Sequence, residues 1–131
     1  GHAAGDAVLQ AVADRLRQTL RSVDLVARYG GEEFLIVLPG TDVSRAGPAA
    51  NRLCSKIGDL PIGVEGARPI HVTVSIGVAV GGENAVPVNA PYFQTSASKP
   101  VVDRLLCAAD DALYNAKAAG RNRVEVALNP V

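Results

Sequence analysis

The segment ARYGGEEFLIVLP, residues 27–39, places two glycines and two acidic residues between two β-prone runs. DLVARYG (24–30) precedes the acids, and EFLIVLPG (33–40) carries the chain onward. A Gly-Gly pair between such runs is typical of a hairpin turn, since glycine adopts positive φ without steric cost. The segment therefore predicts a β-hairpin whose tip carries Glu32 and Glu33.

Outward from this hairpin, helical and β-prone patterns alternate. Apolar residues recur at helical spacing from Gly5 to about Ser22, at Val8, Leu9, Val12, Leu16 and Leu20. Further helices are predicted over 41–58, where Gly47-Pro48 could break or delay the start, and over about 101–119, with strands in 70–80 and 121–128. A long loop rich in Gly, Pro, Asn and Ser is predicted over about 81–100. The predicted order is α-β-β-α-β-α-β.

Composition limits the classes of function. The 131 residues are enough for one domain, and 48% of them are apolar, so the chain can bury a core. Thirteen basic and thirteen acidic residues cancel, so no overall field attracts DNA, RNA or an anionic membrane. No run is long enough for a membrane span, and no signal-peptide pattern opens the chain, which favours a cytoplasmic location. Cys54 and Cys107 lie in helical patterns without metal-ligand spacing, so both are expected to be buried free thiols.

Two charged groups suggest chemistry on phosphates. A Gly-Gly turn lets a bulky anion approach the backbone, and adjacent carboxylates offer the oxygen ligands that Mg²⁺ prefers. Lys117 and Arg121 are four residues apart at the end of a predicted helix, where they can bind phosphates together. Each group also has a plain structural interpretation, as a solvated hairpin tip and as a helix end favoured by the helix dipole.

Four ordered motifs together resemble the GGDEF family of diguanylate cyclases: GHAAGD (1–6), ARYGGEEF (27–34), SIGVAV (75–80) and ADDALYNAKAAGRNRV (109–124). The resemblance implies an α+β fold, a ferredoxin-like palm with an antiparallel central sheet flanked by helices. It also implies that two GTP molecules are condensed to cyclic di-GMP with release of two pyrophosphates, using Mg²⁺ or Mn²⁺. Two subunits face each other in such enzymes, each presenting one GTP, which implies a homodimer.

The resemblance assigns roles at the hairpin. Gly30 and Gly31 are expected to let the backbone approach the GTP phosphates. Glu32 is expected to bind metal and to promote attack by the 3′-hydroxyl on the α-phosphate of the opposite GTP. Glu33 is expected to support the metal and the nucleotide geometry.

Four further residues match the family's substrate ligands. Asp6 corresponds to the guanine-binding acid, because a carboxylate can accept from the N1–H and the exocyclic amine of guanine. Leu9 is expected to pack against the base. Lys117 and Arg121 fall on the phosphate ligands.

RSVD, residues 21–24, resembles the family's inhibitory RxxD motif for cyclic di-GMP, and five residues separate it from Gly30. Arg21 and Asp24 are its expected ligands, and Arg52 matches an additional arginine of some members. The alternative is a charged helix end paired locally.

The sequence departs from the family at its start. Family members carry, before the GHxxGD motif, a central strand and a helix start that supply a second acidic metal ligand, a main-chain carbonyl ligand and a guanine-reading Asn, whereas this chain begins at Gly1. We therefore expect residues 1–131 to be an N-terminally incomplete domain with two exposed sheet edges and little activity by itself, from a protein with an upstream receiver or sensory domain. Besides an active cyclase, two interpretations remain open: a non-catalytic cyclic di-GMP receptor and a GTP-binding regulatory module.

Overall fold

The computed structural model describes residues 2–81 and 99–128, in which the order of elements is α-β-β-α-β-α-β, as predicted. The elements are α1 (His2–Thr19), β1 (Leu25–Arg28), β2 (Phe34–Val37), α2 (Val43–Gly58), β3 (Ser75–Val78), α3 (Lys99–Ala118) and β4 (Arg123–Val126). This mixture of helices and short strands agrees with the α+β class. Most of the predicted loop 81–100 lies outside the described residues.

Helix α2 forms through the Gly47-Pro48 pair, which therefore neither breaks nor delays it. Asp42 caps its start: the carboxylate accepts from the Ser44 hydroxyl at 2.6 Å and from the Arg45 N–H at 3.2 Å. The hydrogen bond from Ser44 is the main reason that the pKa of Asp42 is lowered. Pro48 is the sixth residue of the helix and lacks the N–H that would donate to the Ser44 carbonyl, so it costs the helix one internal hydrogen bond.

The chain divides into two compact units, of which the first contains Gly1–Gly40 and Arg52–Val74. Its described core is apolar, formed by Val12, Ala13, Leu16, Leu53, Cys54, Ile57 and Ile62. The predicted face of α1 supplies Val12 and Leu16, because residues four apart share one side of a helix, and Ala13 lies beside Val12 on that side. The guanidinium of Arg15 donates to the carbonyls of Leu60 and Pro61, each at 2.6 Å, and so holds α1 to the segment after α2.

The second unit contains Thr41–Asn51 and Ser75–Val131. Its buried residues within the described ranges are all alanines: Ala46, Ala50, Ala112 and Ala116. Small side chains let the backbones of neighbouring elements approach each other, and among the described glycines the closest approach is at Gly77 in β3. A Cβ on Gly77 would lie 2.2 Å from the Ala109 carbonyl oxygen and 2.3 Å from the Leu113 nitrogen. Helix α3 therefore packs directly on the backbone of β3.

The sheet differs from the antiparallel one that was expected. Strands β1 and β2 are antiparallel, with Leu25 opposite Val37, whereas β3 and β4 are parallel, with Ser75 opposite Arg123. The described strands form two separate two-stranded sheets. The parallel pair follows from connectivity, since α3 lies between β3 and β4 and such a crossover returns the chain in the same direction.

Two narrower predictions also need correction. The strand predicted over 70–80 is regular only from Ser75 to Val78, while Ile70 makes an isolated antiparallel bridge to Ile62. Cys54 is buried, and burial raises the pKa of its thiol, but Cys107 is exposed. Cys107 shares a helix face with Asp110 and Asp111, both exposed, so an apolar neighbourhood in sequence did not give burial.

None of the helices in residues 2–81 and 99–128 combines the length and the apolar character that crossing a membrane requires.

Candidate functional site

The tip of the β1–β2 hairpin carries the Gly-Gly-Glu-Glu sequence. Beyond the last strand pair, the Tyr29 N–H donates to the Glu33 carbonyl at 2.8 Å and the Gly30 N–H donates to the same oxygen at 3.3 Å. These bonds close the turn and leave Gly31 and Glu32 at its end. The predicted hairpin and the position of the acids at its tip are thus confirmed.

The reason for the two glycines differs from the one predicted. Among the described residues, the glycines with positive φ are Gly40, Gly66 and Gly120, so neither Gly30 nor Gly31 uses the left-handed region. A Cβ on Gly30 would lie 3.2 Å from Oε2 of Glu33, whereas a Cβ on Gly31 would meet nothing within 4 Å. Within the described residues, neither φ nor steric contact requires glycine at position 31. Its missing side chain leaves open space where a ligand can approach the backbone.

Arg28 braces the turn from the end of β1. Its Nε donates to the Gly30 carbonyl at 3.3 Å and its Nη2 donates to the Gly31 carbonyl at 2.5 Å. One guanidinium therefore spans both glycines. Sequence reasoning did not single out Arg28, although its position two residues before the Gly-Gly pair was the available signal.

Glu32 and Glu33 are both exposed at the tip. Neither carboxylate makes a hydrogen bond or ion pair with the part of the chain that the structure describes. The Glu33 side chain lies over Gly30. The described residues contain no group of three or more His, Cys, Asp or Glu that could hold a metal. Mg²⁺ is commonly bound by one or two carboxylates together with substrate phosphates and water, and these two free carboxylates fit that mode.

The predicted guanine ligands lie on α1. Asp6 is exposed, and Leu9, almost one turn later, is half-buried. The carboxylate of Asp6 has no hydrogen-bond partner within residues 2–81 and 99–128. A free carboxylate with an apolar side chain beside it can accept from a purine edge while the base packs on the apolar group.

Lys117 and Arg121 lie at the C-terminal end of α3, where the backbone forms a Schellman motif. The Arg121 N–H donates to the Ala116 carbonyl at 3.0 Å, and the Gly120 N–H donates to the Lys117 carbonyl at 3.3 Å. Three consecutive residues have positive φ: Gly120 at 122°, Arg121 at 62° and Asn122 at 49°. Both Lys117 and Arg121 are exposed. Non-glycine residues in this region cost energy, and such outliers cluster at functional sites.

Arg123 supports this turn, which the sequence did not indicate. Its Nε donates to the Arg121 carbonyl at 3.1 Å, and its Nη2 lies 2.9 Å from the position that a Cβ on Gly120 would take. Gly120 thus provides both a positive φ and room for the Arg123 guanidinium.

Arg21 and Asp24 form a close pair at the turn after α1. The Asp24 carboxylate accepts from Nη2 of Arg21 at 2.7 Å and from the Arg21 backbone N–H at 2.8 Å. The Asp24 side chain is only 3% exposed and the Arg21 side chain is 53% exposed. The hydrogen bond from Arg21 lowers the pKa of Asp24, against the opposing effect of burial. Arg21 also donates to the Pro39 carbonyl at 3.0 Å, which fixes the guanidinium with part of its surface open.

Arg52 is exposed on α2. The described residues offer it no hydrogen bond or ion pair. Of the predicted site residues, those of α1, the hairpin, the RSVD turn and Arg52 fall in the first compact unit, while Lys117 and Arg121 fall in the second. Within the units, the structure joins Gly30 with Glu33 and Arg21 with Asp24.

Comparison with known proteins identifies the family. The family model for the diguanylate cyclase GGDEF domain matches residues 1–123. Diguanylate cyclase A of Treponema denticola is 40% identical over 129 residues, which cover 98% of this chain and 31% of that protein. Diguanylate cyclase DgcP of Pseudomonas aeruginosa is 39% identical over 127 residues, covering 97% of this chain and 16% of that protein. The chain therefore spans less than a third of the length of these relatives.

The fold is also similar to a solved structure. The crystal structure of DgcB from Caulobacter crescentus, a GGDEF domain in complex with c-di-GMP, matches with a TM-score of 0.76 and 27% identity over 98% of this chain and 68% of that chain. The likeness of fold confirms the α+β class, and the family model covers all four motifs up to Arg123. The chain belongs to the GGDEF family of diguanylate cyclases.

Proposed function

We propose that this chain is the catalytic domain of a diguanylate cyclase, which condenses two GTP molecules into cyclic di-GMP and two pyrophosphates. The hairpin tip is the observation that carries the proposal. Glu32 is exposed and without a partner in the described structure, and a Cβ on Gly31 beside it would meet none of the described atoms within 4 Å. A metal-bound triphosphate requires both features together, a carboxylate that is free to bind the metal and open backbone beside it.

The reaction is a substitution at the α-phosphate. The 3′-hydroxyl of one GTP attacks the α-phosphorus of the other, the new P–O bond forms as the bond to pyrophosphate breaks, and the hydroxyl proton passes to water. The 3′-hydroxyl of the second nucleotide then attacks the α-phosphorus of the first in the same way, which releases the second pyrophosphate and closes the ring. Because each nucleotide is both nucleophile and electrophile, two half-sites must face each other, and we infer a homodimer in which each subunit holds one GTP.

Glu32 and Glu33 are the residues that would hold Mg²⁺ or Mn²⁺. The metal, when bound, neutralises phosphate charge and favours the ionised form of the attacking hydroxyl. Because both carboxylates lie on a short braced turn, they approach the triphosphate together with the open backbone at Gly31.

The other ligands bind and orient the nucleotide. Asp6 accepts from the guanine N1–H and amine, which adenine cannot supply in the same pattern, and Leu9 packs against the base. Lys117 and Arg121 bind the phosphates as cations displayed from one helix end. The Schellman turn at Gly120 to Asn122 supports this assignment, because it fixes the backbone on which Arg121 is displayed.

The RSVD turn is the second candidate site, for cyclic di-GMP as an inhibiting product. The Asp24 carboxylate and the Pro39 carbonyl hold the Arg21 guanidinium in place before any ligand arrives, which lowers the entropy lost on binding. The half-exposed guanidinium retains surface for a phosphate or a guanine edge. Arg52 is the proposed third ligand. The same geometry also suits a cyclic di-GMP receptor without catalysis, which is the alternative function.

Turnover separates these functions. The full-length protein is incubated with GTP and Mg²⁺, and products are resolved by chromatography, with ATP as the control substrate. We expect cyclic di-GMP and pyrophosphate from GTP alone. Cyclic di-GMP binding without any turnover would favour the receptor, and binding of GTP alone would favour a regulatory GTP-binding module.

A further inference from the structure

We propose that Arg28 is a positioning residue that turns the backbone N–H groups of Gly31 and Glu32 outward, where they donate to a phosphate of the bound nucleotide. The inference deepens the proposed function and rests on it, because it specifies how the Gly-Gly turn recognises its ligand.

The direction of the two N–H groups follows from the contacts of Arg28. Its guanidinium donates hydrogen bonds to the carbonyl oxygens of Gly30 and Gly31. The peptide bonds of the described residues are all trans, so the C=O and N–H of each peptide point in opposite directions. The Gly30 carbonyl shares a peptide with the Gly31 N–H, and the Gly31 carbonyl shares one with the Glu32 N–H. Both N–H groups therefore point away from Arg28.

Both groups are available to a ligand. The described residues provide no hydrogen-bond acceptor for the N–H of Gly31 or of Glu32, although the neighbouring Tyr29 and Gly30 donate to Glu33. The space at Gly31 is open, and both residues are exposed. Successive backbone N–H groups on one side of a turn form an anion-binding concavity. A phosphate oxygen fits this position, and a neutral nucleoside offers nothing to it.

The turn needs a brace because glycine restricts the backbone so little. Two adjacent glycines sample many conformations when nothing holds them, and each loses more entropy on ordering than any other residue. Arg28 removes much of that freedom before the ligand binds, using the planar fork of its guanidinium on two carbonyls at once. Its contribution is therefore preorganisation of the donors.

The test compares Arg28→Gln and Arg28→Lys with the wild-type full-length protein. Arg28 is exposed and lies at the end of its strand, so both variants are expected to fold. The control is Arg68→Gln, which removes the same charge from an exposed loop residue outside the proposed site. Ligands are 3′-deoxy-GTP, which lacks the attacking hydroxyl and so reports binding without turnover, and guanosine, which lacks phosphates.

Arg28→Gln is expected to raise the Kd of 3′-deoxy-GTP about tenfold, as for loss of an aligned charge-assisted hydrogen bond, and to leave the Kd of guanosine unchanged. Arg28→Lys is expected to recover less than half of this loss, because an ammonium lacks the planar fork. In amide NMR spectra, the Gly31 and Glu32 signals should move when 3′-deoxy-GTP binds to the wild type and should move less in Arg28→Gln.

Three results would overturn the inference alone: an unchanged Kd for 3′-deoxy-GTP in Arg28→Gln, an equal loss for guanosine, or full recovery in Arg28→Lys, which would indicate a simple charge effect. Failure of the wild type to bind GTP at all would instead overturn the proposed function, and the inference with it.

Discussion

Gly77→Ala tests whether the second unit depends on direct contact between α3 and the backbone of β3. The added Cβ would lie 2.2 Å from the Ala109 carbonyl oxygen and 2.3 Å from the Leu113 nitrogen. Both atoms are backbone atoms inside a helix and cannot rotate away. Bringing the carbonyl from 2.2 Å to an ordinary contact of about 3.4 Å requires a shift of about 1.2 Å, so the whole helix must move.

Such overpacking destabilises the folded state by about 1–3 kcal/mol. Alanine also restricts the unfolded chain, which by itself would stabilise the protein by about 0.4–1 kcal/mol. The displaced helix also loses contacts, so we expect the free energy of unfolding to fall by about 2 kcal/mol. For a chain of this size the Tm is then lower by about 6–10 °C. Urea titration and thermal unfolding followed by circular dichroism measure both quantities.

Gly31→Ala is the matched control, since its added Cβ meets nothing within 4 Å and the residue does not use positive φ. Its stability should change by less than about 0.5 kcal/mol, as for other surface substitutions. If Gly77→Ala is as stable as Gly31→Ala, the packing of α3 on β3 is looser than the structure has it and the argument fails.

Four other predictions concern the proposed sites. Glu32→Ala should abolish cyclic di-GMP synthesis by the full-length protein with an unchanged circular dichroism spectrum, because an exposed turn carboxylate contributes little to stability; retained turnover would contradict its catalytic role. Asp6→Ala should weaken GTP binding and narrow the preference for GTP over ATP in calorimetric titration, and intact discrimination would mean that guanine is read elsewhere. Arg21→Ala should weaken cyclic di-GMP binding, and equal binding by the variant would show that RSVD is only a helix end. The lowered pKa of Asp24 means that its contribution to stability is complete above the unfolded-state pKa of about 3.9 and is lost as the pH falls through the lower folded-state pKa. In urea titrations below about pH 4, Asp24→Asn should therefore lose less of its free energy of unfolding with falling pH than the wild type does. An unchanged pH dependence would refute the linkage.

The sequence by itself determined the local elements and the family. Helical spacing placed the core of α1 at Val12 and Leu16, and the Gly-Gly pair between β-prone runs placed the hairpin, because each signal lies within a few neighbouring residues. The four motifs identified the family without any distance being known. The acids at the tip of the hairpin follow from chain order alone.

Tertiary structure decided what each glycine and each arginine does. Gly31 and Gly77 are the same residue type, yet Gly31 faces open space, whereas Gly77 lies against the backbone of α3, more than thirty residues away in sequence. The hydrogen bonds from Arg28 to the Gly30 and Gly31 carbonyls and the burial of Asp24 against Arg21 depend on how each turn closes. The hydrophobic periodicity of the sequence carries no information on these contacts. The parallel pairing of β3 with β4 and the exposure of Cys107 have the same origin. A local pattern specifies which face a residue occupies, but only the packed chain determines what lies opposite that face.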